Sequence, residues 1–369
     1  MNEDAIRLVV NSETNNSSGG RLYGLDILRF LLAVEILMFH SRMHVGCSYG
    51  RLIDLFLHVG AVTMTTFFVL SGFVNEYAFG EMKFHEKGVI KKFYLRRLIG
   101  ILPCYYLTAI LYFIFLSTLT CNEWLMLLPT EVLGIQSVFS SLTTWGHNGG
   151  TWFISCILIC YLFFPLLAQI VREMNQATKM PVVLFLMLLL FYLPVVTMSF
   201  ETTSMYANPL VRCIEYAIGV LLASYLKKRK AGEKYPIKYF GLMICAWVVF
   251  GLGLMIYIMK VSIPLDYMLY SIIFLPIWMI LVVGMSKIHI SNTHLIKLIQ
   301  YFGAIAYDMF LVQFFVWPIQ RWIDGKIQMD NIYRIICVFV LCIGLASLMH
   351  ILFEKPIQKK LRRFIEHTN

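Results

Sequence analysis

The chain has 369 residues, of which 59% are hydrophobic and only 14% are charged. Soluble domains carry about 25% charged residues, so this composition excludes an ordinary soluble protein and predicts an all-α integral membrane protein. The formal net charge of +10 does not require a nucleic-acid partner, because Lys and Arg cluster in the connections on one side of the predicted bundle.

Ten apolar stretches are long enough to cross a hydrocarbon core of about 30 Å. They cover residues 25–44, 58–79, 98–118, 152–171, 180–199, 208–226, 237–259, 265–285, 299–318 and 332–353. Most of the 31 Lys and Arg residues lie on the side of the two chain ends, so the positive-inside rule places both termini in the cytoplasm. A shorter apolar piece, residues 123–139, contains Pro129 and Gly134 and predicts a helix lying in the membrane interface.

The predicted organisation has three parts. Residues 1–20 are polar and predict a disordered cytoplasmic tail. Residues 21–358 form a transmembrane bundle of about ten helices, set by the span length that a bilayer requires. Residues 359–369 are a basic cytoplasmic tail. The expected location is the cell (inner) membrane, which the chain crosses several times, in contact with its lipids.

The first stretch carries Asp26, Arg29, Glu35 and His40, and ionisable groups at membrane depth are costly and often functional. Arg29 and His40 are eleven residues apart, so they leave the same helix face about 16 Å apart along the axis. His40 is either a general base or a histidine hydrogen-bonded to a neighbouring helix. Arg29 pairs either with Asp26, three residues earlier, or with a phosphate.

Further candidates follow along the chain. Lys91 and Lys92 are expected to set topology or attract anionic lipids, whereas the adjacent pair Arg96 and Arg97 suits a nucleotide phosphate. His147 is a second candidate base on the outer side.

Two later spans carry ionisable groups. Arg212 and Glu215, three residues apart, predict an intramembrane ion pair. Glu354 ends the last span and is expected to cap a cationic site. The sequence contains no Gly-rich phosphate loop, HExxH pair, CxxC or nucleophile elbow, so we expect group transfer without a metal or a bound cofactor.

Together these motifs resemble acyltransferase family 3, whose integral-membrane members acylate bacterial surface sugars. Seven blocks occur in the family's order: Arg29 and His40 after RLYGLDILRF, FFVLSGF with Ser71, RRLIGILP with Arg96 and Arg97, TWFISCILICYLFFP with Trp152, NPLVRCIEYAIGVLLA with Arg212 and Glu215, FGAIAYDMFLVQ with Tyr307, and FEKPI with Glu354. The blocks run from about residue 21 to 358.

The resemblance implies an O-acyltransferase that moves an acetyl or other acyl group from cytoplasmic acyl-CoA, acetyl-CoA first among them. The implied acceptor is a hydroxyl of a cell-surface polysaccharide or its lipid-linked sugar precursor. It implies a stand-alone form without a fused esterase-like domain. The implied catalytic residues are His40 and Arg29. The implied substrate-binding residues are Arg96, Arg97, Ser71, Trp152, Arg212, Glu215, Tyr307 and Glu354.

The chain departs from the family pattern at three places. Gly100 stands where the third-span motif usually has a further Arg, and Ile157 and Leu158 stand where the fourth-span block often has acidic residues. Gln313 stands where the ninth-span block commonly ends in His.

Two other classes of function stay open from the sequence. One is a transporter of a lipid-linked sugar or small anion, with Arg29, Arg212 and Glu215 lining its pathway; the absence of an evident inverted repeat counts against it. The other is a structural partner in a glycan-assembly complex whose acyltransferase machinery has decayed. Assembly into a homo-oligomer or a glycan-assembly complex also stays open for the enzyme. For acyl transfer we expect direct attack with His40 as the base, and an acyl-histidine intermediate is a variant that the sequence leaves open.

Overall fold

The computed structural model describes residues 21–57, 60–139, 149–198, 205–227 and 267–367, and these are helical with short connections. The α-helices are α1 (Tyr23–Val45), α2 (Arg51–Leu57), α3 (Thr63–Phe79), α4 (Val89–Phe115), α5 (Cys121–Leu133), α6 (Trp152–Glu173), α7 (Gln176–Met198), α8 (Pro209–Lys227), α9 (Tyr267–Ser286), α10 (Thr293–Ile327), α11 (Asn331–Met349) and α12 (Lys355–His367). A π-helical turn, His350–Glu354, joins α11 to α12.

The predicted all-α membrane class is confirmed at this level. Five described segments are long and apolar enough to cross a membrane: Val89–Phe115, Trp152–Glu173, Pro209–Lys227, Thr293–Ile327 and Asn331–Ile365. A helix overlaps every predicted span except residues 237–259, which lie outside the described residues. The exact number of spans and the cytoplasmic position of the ends stay predictions.

The interrupted apolar piece forms α5 and a following 3-10 turn, Gln136–Val138. Thr120 and Glu123 form a capping box at the start of α5, and Gly134 ends it in the left-handed conformation with φ 62°, which glycine adopts without a Cβ clash. Leu125 and Met126 are exposed on this helix. The position of α5 in the membrane interface stays a prediction.

Small residues bring α3 and α8 into close contact. A Cβ added to Gly72 would lie 2.0 Å from the carbonyl oxygen of Tyr216, and one added to Gly219 would lie 2.0 Å from that of Val69. The two backbones therefore approach as closely as glycine allows, the usual way that helices pack tightly inside a bilayer. Helix α1 packs mainly on α10.

Two groups of buried side chains form the core. The larger group joins α3, α6, α7, α8 and α9 to the first part of α1. The smaller group joins α10 and α11 to Leu37 of α1 and Cys104 of α4. Phe310 of α10 packs against both groups, and a cavity opens beside it.

Candidate active site

The cavity has a volume of about 350 Å³ and is lined by six helices. The lining residues are Arg29, Ala33 and Ile36 of α1; Met64, Phe67, Ser71, Val74 and Asn75 of α3; Arg96, Arg97, Gly100 and Ile101 of α4; Phe153, Ile154, Ile157 and Tyr161 of α6; Gly303, Ala304, Ala306, Tyr307 and Phe310 of α10; and Arg362 of α12. Residues far apart in the sequence therefore line the same cavity.

The charge of the cavity comes from four arginines, Arg29, Arg96, Arg97 and Arg362, and no carboxylate belongs to the described lining. Arg29 donates from Nη1 to Asp26 at 3.1 Å, and Asp26 also accepts from Arg21 at 2.7 Å. One carboxylate thus serves two guanidinium groups. The cavity consequently has a net positive lining that favours an anion.

Arg97 is held by aromatic rings rather than by a carboxylate. Its guanidinium carbon lies 4.4 Å from the ring centroid of Phe79 and 5.4 Å from that of Tyr161. Its Nε atom is buried, with no hydrogen-bond acceptor in the described part of the chain. A buried donor without an acceptor is unfavourable. A ligand whose oxygen atom accepts from this N–H would therefore bind favourably at Arg97.

The α1 wall leads from Arg29 towards His40. Arg29, Ala33 and Ile36 line the cavity, and the same three-and-four spacing continues to His40 one turn later. The lining also includes the apolar side chains Phe67 and Phe310. The cavity therefore has a cationic part near Arg29, and the face of α1 that lines it continues to His40, which is not itself among the lining residues.

Gln313 of α10 fixes the orientation of His40. The Nε2 atom of Gln313 donates to the carbonyl oxygen of Phe310 at 3.0 Å, so its Oε1 atom faces His40 Nδ1, also at 3.0 Å. A carbonyl oxygen only accepts, so the neutral imidazole carries its proton on Nδ1 and leaves the Nε2 lone pair available. This is the arrangement that a general base requires.

A comparison with protein families identifies the chain. The family model described as an acyltransferase domain, that of family 3, matches residues 22–351. The chain belongs to acyltransferase family 3. The family consists of O-acyltransferases.

The acyltransferase MdmB of Streptomyces mycarofaciens is similar over part of its length. The two are 24% identical over 230 residues, which cover 56% of this chain and 58% of that protein. No solved structure matches the chain significantly.

Within this family-3 acyltransferase, five of the residues predicted from the sequence come together at the cavity: Arg29, Ser71, Arg96, Arg97 and Tyr307. Tyr307 donates its hydroxyl to the carbonyl oxygen of Ile101 at 3.1 Å, which ties α10 to α4. His40 lies one helical turn beyond the lining residue Ile36.

Three other predicted residues form a separate group behind the cavity wall. Arg212 pairs with Glu215 at 2.8 Å, so the predicted intramembrane ion pair is confirmed. The guanidinium carbon of Arg212 lies 5.3 Å from the ring centroid of Trp152, and Thr65 donates to Glu215 at 3.0 Å. Met64, next to Thr65 in the chain, and Phe153, next to Trp152, line the cavity. The Arg212–Glu215 pair therefore lies directly behind the cavity wall.

The last two candidates lie elsewhere. Glu354 is in the π-helical turn, bonded to His350 and accepting from Gln358 at 2.8 Å. His147 lies outside the described residues.

Three of the four departing residues, Gly100, Ile157 and Gln313, fall at the site, whereas Leu158 lies against Gly134 at the end of α5. Gly100 and Ile157 line the cavity, and a Cβ added to Gly100 would meet nothing within 4 Å. Gln313 is the partner of His40. At the cavity these positions therefore supply no charged side chain, and His40 has the amide of Gln313 as its hydrogen-bonding neighbour.

Sequence reasoning missed Arg362. This residue lies in α12 within the predicted basic tail, where the positive-inside rule already accounts for its charge. Helix α12 packs against α4, and Arg362 lines the cavity while it donates to Gln358 at 3.2 Å. The available signal was the strongly amphipathic pattern of KPIQKKLRRFIEH, which is typical of a helix lying against a surface.

Proposed function

We propose that this family-3 acyltransferase moves an acetyl group from cytoplasmic acetyl-CoA to a hydroxyl of a cell-surface polysaccharide or its lipid-linked sugar precursor. One observation carries the proposal. A single cavity joins a cluster of guanidinium groups to an apolar wall that continues along α1 to a histidine held in the tautomer of a base.

The cationic part suits the phosphates of CoA. Arg97 has a buried Nε without an acceptor in the described chain, and a phosphate oxygen would supply one through a charge-assisted hydrogen bond. Arg96 and Arg362 line the same cavity, and Arg362 would supply a cation where Gly100 lacks one. Because Arg29 shares Asp26 with Arg21, it retains positive charge for the ligand.

The apolar part suits the pantetheine arm. Arg29 and His40 are about 16 Å apart along α1, given 1.5 Å per residue, which is roughly half of a hydrocarbon core about 30 Å thick. A donor whose phosphates stay at the arginines would thus present its thioester near His40. The alignment of both ends on one helix fixes that geometry before the substrate binds.

The proposed reaction is a direct transfer with His40 as general base. His40 Nε2 takes the proton of the sugar hydroxyl while the hydroxyl oxygen attacks the thioester carbonyl carbon. The carbon–sulfur bond then breaks, and the departing CoA thiolate takes the proton from His40. The base returns to its starting state and the products are an acetyl ester and CoA. General-base catalysis of this kind raises the rate by a factor of about 10²–10⁴.

The membrane arrangement is part of the proposal. With ten spans and both ends in the cytoplasm, Arg29 lies towards the cytoplasm and His40 towards the outside. The enzyme would therefore take its donor from one side of the cell membrane and modify an acceptor at the other. Arg212, Glu215 and Trp152 would stabilise the wall next to the acyl group, and Tyr307 and Ser71 would contact the donor.

The proposal is tested by label transfer. Detergent-purified protein is given acetyl-CoA labelled on the acetyl group, together with surface-glycan extracts from the native cell. We expect label in one glycan, and a fall of about 10²–10⁴ in kcat for His40→Ala. Arg97→Ala is expected to raise KM for acetyl-CoA by about tenfold or more, because hydrogen bonds to charged groups contribute about 1.5–3 kcal/mol.

Two controls make the result specific. Lys91→Ala removes an exposed cation from the same helix and should leave KM unchanged. With S-acetylpantetheine, which lacks the phosphates, Arg97→Ala and wild type should become alike. Undiminished transfer by His40→Ala would contradict the proposed base. Absence of both CoA binding and transfer, in protein that elutes as a single folded species, would favour the transporter.

A further inference from the structure

A cluster of donor groups lies beside the cavity wall and takes no part in the proposed reaction. Cys104 of α4, Asp308 of α10 and Glu354 of the π-helical turn are all buried, and the Cys104 sulfur and one carboxylate oxygen from each acid lie within 4.8 Å of one another. The three residues come from three separate segments, so only the tertiary structure brings them together.

Asp308 has few partners for a buried carboxylate. Its side chain is completely buried, and neither oxygen accepts a hydrogen bond of good geometry from the described residues. The Glu354 carboxyl and the Cys104 thiol, both members of the cluster, are its nearest hydrogen-bonding neighbours. Its nearest basic atom is Nδ1 of His350 at 3.5 Å, and His350 is already bonded to Glu354. The imidazole of His350 is therefore the one basic group that the described residues place beside both carboxylates and the thiol. Burying such groups without compensation is strongly unfavourable.

The backbone next to the cluster has an irregular form with a clear cause. Pro356 has no N–H and cannot donate to the carbonyl of Leu352 in an α-helix. In the wider turn that forms here, the N–H of Lys355 donates instead to the carbonyl of His350. This turn places His350 and Glu354 beside Asp308. Single π-helical turns of this kind frequently occur at functional sites.

We propose that Cys104, Asp308 and Glu354 bind a divalent transition-metal ion, with Zn²⁺ as the best fit. The ion would neutralise the carboxylates and supply the partner that Asp308 lacks. A thiolate among the ligands favours Zn²⁺ over Mg²⁺ or Ca²⁺, which prefer oxygen. Nδ1 of His350 or a water would complete four-coordination. Binding releases the thiol proton to solvent, as with any thiolate ligand.

Such an ion would be structural. It would join α4, α10 and the junction of α11 with α12. These segments carry Arg97, Tyr307 and Arg362 of the cavity wall. The ion would thus hold the arginine side of the cavity in place without touching the reacting atoms, and its presence does not depend on which acyl group or acceptor the enzyme uses.

Metal content measures this directly. Protein purified without chelators is analysed by inductively coupled plasma mass spectrometry, and stoichiometric zinc is expected in wild type. Cys104→Ala and Asp308→Asn should lose the zinc. The matched control is Cys342→Ala, which removes another buried thiol, one whose sulfur contacts the carbonyl of Met309 at 3.7 Å, and it should keep the zinc.

Cobalt substitution supplies a second readout. Chelator-treated wild type given Co²⁺ should show a thiolate-to-cobalt charge-transfer band that Cys104→Ala lacks. The proposal is overturned if folded wild type contains no zinc and develops no such band, or if Cys342→Ala loses the metal equally. If Asp308→Asn does not fold, the Cys104→Ala comparison still decides, because it leaves both carboxylates in place.

Discussion

At the scale of single residues, the contact between Gln313 and His40 determines which imidazole nitrogen carries the proton. The amide of Gln313 is fixed by its own bond to Phe310, and it accepts from His40 Nδ1 at 3.0 Å. Gln313 is almost completely buried, with 1% of its surface exposed, so water does not compete for this contact. Gln313 is thus a positioning residue, acting through His40.

Replacing Gln313 should affect the chemical step and spare donor binding. Gln313→Leu removes the acceptor for Nδ1–H, lets the ring change tautomer or rotate, and should lower kcat by up to about 10²-fold while KM for acetyl-CoA stays the same. Gln313→Glu still offers an oxygen to Nδ1–H but cannot donate to Phe310, so it should retain more activity than Gln313→Leu and less than wild type. Steady-state kinetics of both variants measure this.

The control is Gln320→Leu on the same helix. Gln320 is completely buried two turns further along α10, where it donates to the sulfur of Met329 at 3.6 Å. An equal fall in kcat for Gln320→Leu and Gln313→Leu would show that any buried amide on α10 matters only for packing, and the positioning role would then be wrong.

Residue spacing within one helix could be predicted from the sequence, whereas contacts between helices could not. The placement of Arg29 and His40 on one helix and the Arg212–Glu215 pair follow from helical periodicity, since their members are near in the chain. The partner of His40 is 273 positions away. Periodicity tells which side chains share a face, but not which faces meet.

At the scale of elements, the crossing of α3 and α8 holds one wall of the cavity. Helix α3 supplies Ser71 and Asn75 to the lining, and Gly72 between them contacts the backbone of α8. Ser71 could be predicted from the motif SGF, but the role of its glycine neighbour depends on the close approach of the second helix. This crossing therefore fixes the position of the polar part of α3.

Adding one methyl group at this crossing should destabilise the bundle. Gly72→Ala would place a Cβ 2.0 Å from a backbone oxygen of α8, which only a shift of the helices can relieve. We expect a loss of about 1–3 kcal/mol, typical of overpacking, seen as a lower Tm in detergent. Gly344→Ala on α11, where an added Cβ meets nothing within 4 Å, is the control and should keep or raise Tm. A Gly72→Ala protein as stable as wild type would contradict the tight crossing.

The contacts of the C-terminal segment could not be predicted from the sequence, although its basic charge could. Its basic charges agree with a cytoplasmic tail, as composition predicts. In the structure, residues 355–367 form a helix that packs on α4 and supplies Arg362 to the cavity. The cavity therefore combines residues that lie more than 300 positions apart in the chain, such as Arg29 and Arg362, which no local pattern reveals.

At the scale of the whole molecule, the distribution of charge suggests a direction for the reaction. The four arginines of the cavity all lie towards the ends of helices that the positive-inside rule assigns to the cytoplasm. His40 lies towards the opposite end of α1. A polyanionic donor such as CoA cannot cross the bilayer unaided, because its charged groups would be stripped of water. The donor and the acceptor should therefore approach from different sides.

Sealed vesicles of known orientation test this sidedness. Inside-out vesicles from cells that contain the acceptor should incorporate label from added acetyl-CoA, whereas right-side-out vesicles should not, because the arginines face their interior. Permeabilising the right-side-out vesicles with mild detergent should restore incorporation to the inside-out level, and this controls for loss of enzyme or acceptor. Vesicles carrying His40→Ala should stay unlabelled in every case. Incorporation by intact right-side-out vesicles would place the donor site on the outside and overturn the proposed orientation of the bundle.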